Sequence, residues 1–374
     1  MKEKIKSQDF RFFDSRQKYL LFVNTTNEKN KISQEITPHI KNIIPKKPAI
    51  KIFDAGLGDG TLLMSVLRTL HKEFPVIPFV VMGKEISMED VRISTEKLAD
   101  RFIEHPNMVF IVTNLHYSEA SSLQSKNLIK NKNLNRKIVK LKGNSSFQFN
   151  LQLSQLEGLL EDNWQVERNK KSGNPTYKDP SLLIIYREDQ EFILENIIPQ
   201  KNSEKIFFDL IIASQPYRSR ISIEKKVEYV IKPMINSLAK DGKLIIVHAS
   251  GNDPGSQIIN KVYPDETPFP SLGKDMIIYL KENLDKDLLK KIKFNEPTIL
   301  KYHLRTLPNE IENGISTSAI FSAWNACTYV GQINDEKIVK AEDSGNHIQA
   351  IQSIIKENDG LWFNDEIILI EKYK

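Results

Sequence analysis

The sequence predicts an α/β fold, a parallel sheet with helices on both faces. Three observations carry that prediction. Short apolar runs of strand length recur along the chain, amphipathic helical spacing separates several of them, and the first run enters a glycine-rich turn before its helix. That first run is Ile50 to Phe53, closed by Asp54. Gly56, Gly58 and Gly60 follow at every second position, and Leu62, Leu63, Val66 and Leu67 resume at helical spacing. Glycines suit a chain that turns tightly and offers bare backbone to a ligand. The unpaired N–H groups that open the next helix then face the ligand's polar end. A dinucleotide fingerprint requires glycine or alanine three residues after its second glycine. Thr61 holds that place here.

The remaining elements follow in order. Pro78 to Met82 is a second buried strand, followed by Gly83, Lys84 and Glu85. A helix from Met88 to Phe102 carries Val91, Leu98 and Phe102 on one face. Met108 to Thr113 is a third strand ending at Asn114. Phe207 to Ala213 is a fourth, leaving through Ser214, Gln215, Pro216 and Tyr217, and Leu238 to Val247 turns into a fifth.

Asp-x-Gly-x-Gly-x-Gly, with this succession of strands, resembles motif I of the class I S-adenosylmethionine-dependent methyltransferases, over about Ile50 to Ser250. The resemblance implies a seven-stranded Rossmann-like sheet and S-adenosylmethionine as cofactor. Thr298 to His303 and Leu361 to Glu371 would be strands six and seven, paired antiparallel at the sheet edge. Gly56, Gly58 and Gly60 would let the methionine end approach the backbone, and Asp54 would orient that loop. Glu85 would accept from both ribose hydroxyls. Asn114 stands where the family contacts adenine, and Ser214 joins the cofactor-binding set.

Two decorations are expected. Residues 1–48 form an N-terminal extension that covers the cofactor, ahead of a methyltransferase domain over 49–374. The connection from Asn114 to Ile206 is too long for one crossover, so about 121–179 is an insertion. Within it, Phe147, Phe149, Leu151 and Leu153 alternate as a strand does, whereas Leu156, Leu159, Leu160 and Trp164 are spaced as a helix. Leu182 to Tyr186 reads as a strand and Glu188 to Ile198 as a helix. Thr317 to Ile333, with Trp324, reads as a buried helix.

Bulk composition narrows the class. With 374 residues, 40% hydrophobic and 27% charged, the chain is that of a globular protein. It has no apolar run of about eighteen residues, and the N-terminus lacks a signal-peptide core, so a cytoplasmic setting without a membrane span is expected. The single cysteine, Cys327, excludes an internal disulfide and a cysteine-built zinc site. No other metal-ligand spacing occurs. Net charge is +5, and Lys126 to Lys142 holds seven basic residues and no acid. That run reads as a solvated loop, with phosphate gripping as the alternative.

Methyl transfer is an in-line displacement in which positioning supplies on the order of 7–11 kcal/mol in well-oriented cases. Tyr217 and His248 are the candidate catalytic residues, Tyr217 as an aromatic wall and His248 as a general base or a hydrogen-bond partner of the substrate. His116 and Tyr117, just past strand three, are further candidates. Ser214-Gln215-Pro216-Tyr217 resembles the Asp/Asn/Ser-Pro-Pro-Tyr turn of amino-methyltransferases, with Gln215 in place of the first proline. The acceptor is expected to be a small molecule, enclosed by the N-terminal segment, the Asn114–Ile206 excursion and the helix bearing Trp324. One alternative is a nucleic-acid amino-methyltransferase, and another is a non-catalytic binding module of the same fold. A transferase using decarboxylated cofactor needs an acidic site for its amine, and Ala213, Ser214 and Gln215 offer no carboxylate.

Overall fold

A computed structural model describes residues 10–170, 173–201, 204–306 and 315–373. Of the N-terminal extension, residues 1–9 lie outside the described residues. Strands, in chain order, are β1 (Ile50–Asp54), β2 (Phe79–Lys84), β3 (Met108–Thr113), β4 (Asn135–Leu141), β5 (Val166–Arg168), β6 (Pro175–Tyr177), β7 (Ser181–Arg187), β8 (Phe208–Ser214), β9 (Leu238–Ala249), β10 (Ile292–Phe294), β11 (Thr298–His303) and β12 (Trp362–Lys372). Ten of them form one sheet in the order β10-β12-β9-β8-β1-β2-β3-β7-β4, with β11 also on β12. β5 and β6 make a separate hairpin.

The centre of this sheet is what the sequence predicts. β1, β2, β3, β8 and β9 run parallel, and β12 pairs antiparallel with β9 on one side and with β10 and β11 on the other. The sheet is wider than the expected seven strands. β7 adds antiparallel to β3, and β4 adds parallel to β7. The central strands are nearly all apolar because both faces are covered. Phe53 packs into a core on one face and Ile52 into a core on the other.

Helices α1 (Arg16–Thr25), α2 (Glu28–Lys41), α3 (Thr61–Glu73) and α4 (Met88–Glu96) surround the carboxyl-end crevice or the face below it. Three expectations for the excursion change. Residues 146–154 form a helix, not a strand, started by Ser145, whose side chain accepts from the Gln148 N–H. Phe149 and Leu153, four apart, are buried, while Phe147 and Leu151 are exposed. A two-residue alternation contains a four-residue one, and burial follows the latter. The basic run is not a loop either: it forms the helix Leu128–Lys132 and then edge strand β4. Three of its lysines face acids, Lys130 with Glu167, Lys140 with Glu191 and Lys142 with Glu188. Charged side chains on a sheet edge deter further strand pairing. The helix expected over Glu188 to Ile198 is only a single turn of 3₁₀ helix, Glu188–Gln190, running into Glu191–Leu194. Among the described residues no helix is long and apolar enough to cross a membrane.

Candidate functional site

In an open α/β sheet the ligand crevice lies beyond the strand carboxyl ends, where strand order reverses. Here that reversal falls at β1, which sits between β2 and β8. A cavity of about 190 Å³ opens there. Ala55, Gly56 and Gly58 line it from β1, Lys84 and Glu85 from β2, and Ser214, Gln215 and Pro216 from β8. The N-terminal segment supplies another wall with Phe12, Phe13, Arg16, Tyr19, Phe22, Glu28 and Lys29.

The glycine loop is held by carboxylates. Asp54 Oδ1 accepts from the Gly56 N–H at 3.1 Å, and Glu85 Oε2 accepts from the Gly58 N–H at 3.0 Å. Glu85 Oε1 accepts from the Ile86 and Ser87 N–H groups at 2.7 and 2.9 Å. Its carboxylate therefore clamps the loop to the β2 exit, with three of its roughly four acceptor sites used. Trp164 braces the same exit from the insertion, its Nε1 donating to the Glu85 carbonyl at 2.9 Å. Gly58 has φ +49°, and a Cβ there would lie 2.3 Å from the Tyr19 hydroxyl. Tyr19 in turn donates to Asp59 Oδ1 at 3.0 Å, and Asp59 pairs with Lys97. Gly60, also left-handed at φ +79°, does not line the cavity; a Cβ there would meet Ser94 at 2.8 Å.

Electrostatically the site is rich in buried acid. Burial pushes the Asp54 carboxyl up to about 7 against the opposing Gly56 N–H and Lys29. Burial, then the Glu85 charge, pushes Asp90 up to about 7. Asp54 Oδ2, Asp90 Oδ1 and Glu28 Oε1 are buried with no hydrogen-bond donor among the described residues. Lys29 is raised as well: burial lowers its affinity for a proton, but Glu28, Asp365 and Asp59 together outweigh burial. Lys84 is lowered by burial and lies 4.7 Å from the centre of the Tyr117 ring.

Several predicted residues lie elsewhere. Asn114 is buried away from the cavity lining. Its Oδ1 accepts from the Ser181 N–H at 2.7 Å and its Nδ2 donates to the Asp179 carbonyl at 3.0 Å, so it fastens β7 to the β3 exit. Tyr217 and His248 are also buried and also do not line the cavity. The Tyr217 hydroxyl meets His248 Nδ1 at 3.1 Å, and His248 Nε2 meets Glu366 Oε2 at 3.1 Å. Burial acts to raise Glu366, yet hydrogen bonds from His248 and the Gly273 N–H outweigh it and hold it low. An ionised carboxylate only accepts, so Nε2 carries the proton and Nδ1 accepts from Tyr217. Burial lowers His248 against Glu366, which keeps the imidazole neutral. Trp324 is buried and bonded to Glu342, and it is Tyr329 of the same helix, Thr317–Val330, that reaches the cavity. Among the described residues of the excursion only Tyr117 reaches it, while His116 lies in a separate surface groove with Lys126, Lys130 and Tyr177.

The Ser-Gln-Pro-Tyr turn departs from the motif it resembles for a backbone reason. Gln215 has φ +50°, which the ring of a proline forbids. Its side chain spans the turn, Oε1 accepting from the Ala249 N–H at 3.2 Å and Nε2 donating to Asp365 Oδ1 at 3.3 Å. The Pro216 carbonyl already accepts from the Tyr117 hydroxyl at 3.0 Å.

What the sequence reading missed is Glu28. The exit of β8 has no carboxylate of its own, but α2 brings one to it. Asn27 N–H donates to the His303 carbonyl at 3.1 Å, and the His303 N–H returns to Asn27 Oδ1 at 2.7 Å. The start of α2 is thereby tied to β11, and Lys29, next to Glu28, donates to Ser214 Oγ at 3.2 Å. Locally Asn27-Glu28 reads only as a helix start with an acid in its first turn.

No protein-family model matches the chain, and no curated protein matches it. Among solved structures it is similar to an S-adenosylmethionine-dependent methyltransferase from Anabaena variabilis, at 11% identity over 98% of each chain with a TM-score of 0.40. It is similar also to geranyl diphosphate methyltransferase in complex with S-adenosylmethionine, at 10% identity over 91% of this chain and 85% of that one, TM-score 0.36. A third is a mycolic acid cyclopropane synthase complexed with S-adenosylhomocysteine, at 8% identity over 98% and 90%, TM-score 0.37. At these identities none of them lends a residue or a substrate to this chain.

Proposed function

We propose that this chain is an S-adenosylmethionine-dependent methyltransferase acting on a nucleophilic nitrogen or oxygen of a small-molecule acceptor. One observation carries the reading: the cavity opens at the switch point of the sheet, between the bare backbone of Gly56 and Gly58 and the Glu85 carboxylate. The residues fit the cofactor. Gly56 and Gly58 leave room that a Cβ would fill, as Gly58 against Tyr19 and Gly56 against the Ser214 carbonyl at 3.3 Å. Glu85 keeps acceptor capacity for a ribose hydroxyl, and the donorless oxygen of Asp90, on the cavity wall, suits a ligand that carries positive charge. Asp54 lies behind the glycine loop and does not line the cavity. When bound, S-adenosylmethionine supplies an electrophilic methyl group on a sulfonium. The chain's own residues do the rest by position: Glu85 and Asp54 hold the loop, and Phe12, Phe13 and Tyr19 of the N-terminal segment exclude water. Residues 1–48 are then the cover of the site and 49–374 the domain it covers.

A small acceptor is favoured over a nucleic acid by the turn after β8. In the amino-methyltransferase arrangement an aromatic ring stacks on the target and a backbone carbonyl accepts its amino hydrogens. Tyr217 is buried against His248, and the Pro216 carbonyl is taken by Tyr117. Calorimetric titration with S-adenosylhomocysteine tests the reading. Wild type should bind at about micromolar Kd, and Glu85→Ala should weaken binding by about tenfold or more. A folded wild type that binds no S-adenosylhomocysteine would overturn it.

A further inference from the structure

The cavity has two ends, because β1 and its glycine loop lie between β2 and β8. Glu85 marks the β2 end, where the reading above places the nucleoside. The β8 end is left for the acceptor. It is built from Glu28, Lys29 and Ser214, with the rings of Phe22 and Tyr329 beside them.

Glu28 is only 1% exposed, yet it lines the cavity. Its Oε2 is ion-paired with Lys29 Nζ at 2.9 Å, and neither Oε1 nor Oε2 has a hydrogen-bond donor among the described residues. A second buried acid stands beside this pair. Asp365 Oδ1 accepts from Gln215 Nε2 at 3.3 Å, and Asp365 Oδ2 has no partner among the described residues. Burial, then the charge of Glu28, holds Asp365 well above the usual carboxylate range. One lysine thus stands against two buried carboxyl groups, and the Glu28 carboxylate at the cavity wall has no hydrogen bond among the described residues. Leaving a buried carboxylate oxygen without a donor is costly unless a ligand completes it. The adjoining walls are aromatic: the Phe22 and Tyr329 rings lie 5.1 Å apart, and Tyr19 lies 6.0 Å from Tyr329. Aromatic faces attract cations.

We propose that the β8 end of the cavity is an amine site, in which Glu28 Oε1 accepts from the ammonium group of the acceptor and Phe22 and Tyr329 wall its carbon skeleton. The assignment of this amine as methyl acceptor rests on the methyltransferase reading. In that reading the ammonium first loses a proton to solvent by way of Glu28, the freed nitrogen lone pair takes the methyl group, and the methyl–sulfur bond breaks to leave S-adenosylhomocysteine. The amine site itself rests on Glu28 and the rings. A carboxylate ligand would be repelled by Glu28. An alcohol could donate one hydrogen bond but would bring no charge to match the carboxylate.

The test compares matched pairs of small probes by calorimetry in the presence of S-adenosylhomocysteine: n-butylamine, n-hexylamine and benzylamine against n-butanol, n-hexanol and benzyl alcohol. Each ammonium ion should bind about tenfold tighter than its alcohol, and Glu28→Gln should remove that preference while leaving S-adenosylhomocysteine affinity within about threefold. Equal binding of ammonium and alcohol by wild type overturns the amine site, as does a folded Glu28→Gln protein that keeps the preference. If Glu28→Gln fails to fold, the wild-type comparison decides alone. Repeating the amine titrations without S-adenosylhomocysteine separates the two readings. Amine preference without S-adenosylhomocysteine binding sinks the methyltransferase reading and supports the amine site. S-adenosylhomocysteine binding without amine preference does the reverse.

Discussion

Two buried polar clusters stand at the carboxyl ends of the sheet, and they differ in how completely they are paired. Beneath β8, β9 and β12, Tyr217, His248 and Glu366 form a closed chain, finished by the Gly273 N–H donating to Glu366 Oε2 at 2.7 Å. At the cavity wall, oxygens of Asp90 and Glu28 have no donor among the described residues, and neither has Asp54 Oδ2 behind the glycine loop. A satisfied buried network fixes a fold, whereas unsatisfied buried acceptors are costly without a ligand. By that measure the histidine and tyrosine that look catalytic in the sequence hold the β8 exit in place. Two of the acids, Glu28 and Asp90, line the cavity, and Asp54 lies behind its glycine loop.

The largest expected effect tests the unsatisfied cluster through pH. Asp54 is raised in the folded protein, so it favours the protonated form there. Its contribution to stability is full below the unfolded carboxylate pKa near 4 and is lost as pH rises through about 7. Asp54→Asn keeps an acceptor for the Gly56 N–H and removes the titration. Wild type should lose on the order of 4 kcal/mol relative to Asp54→Asn between pH 4 and pH 8, read from urea unfolding at each pH. Parallel stability curves for the two proteins would show that the Asp54 environment is not what the buried oxygen implies.

The closed cluster should respond differently. His248→Ala leaves the Tyr217 hydroxyl and Glu366 without their shared partner, which should cost about 2–3 kcal/mol of stability. Affinity for S-adenosylhomocysteine should stay within about threefold, since neither side chain lines the cavity. A large loss of affinity at unchanged stability would move His248 back into the site. The smallest effect belongs to the brace between the insertion and the clamp. Trp164→Phe removes the hydrogen bond to the Glu85 carbonyl and should cost about 1 kcal/mol, with a comparable loss of S-adenosylhomocysteine affinity. Loss of stability without loss of affinity would confine Trp164 to packing.

How much was legible follows the range of the signal. The strand, glycine turn and helix from Ile50 to Leu67 are readable because adjacent residues encode them: apolar spacing for the elements, glycines where φ is positive. Glu85 is readable for the same reason, one residue past the end of β2. The alternation at Phe147 to Leu153 misleads, since it satisfies both a strand period and a helix period and only packing chooses between them.

Sequence by itself determined the parallel core, its order along the chain and the glycine loop at its crevice, because each is a local pattern repeated. Tertiary structure alone decided which way the polar side chains face. It turned Tyr217, His248 and Asn114 into buried ties, and it carried Glu28 from the start of α2 to a strand exit that has no acid of its own. The physical reason is that a side chain's partners are set by elements distant in the chain, here β11 holding Asn27 and β12 holding His248.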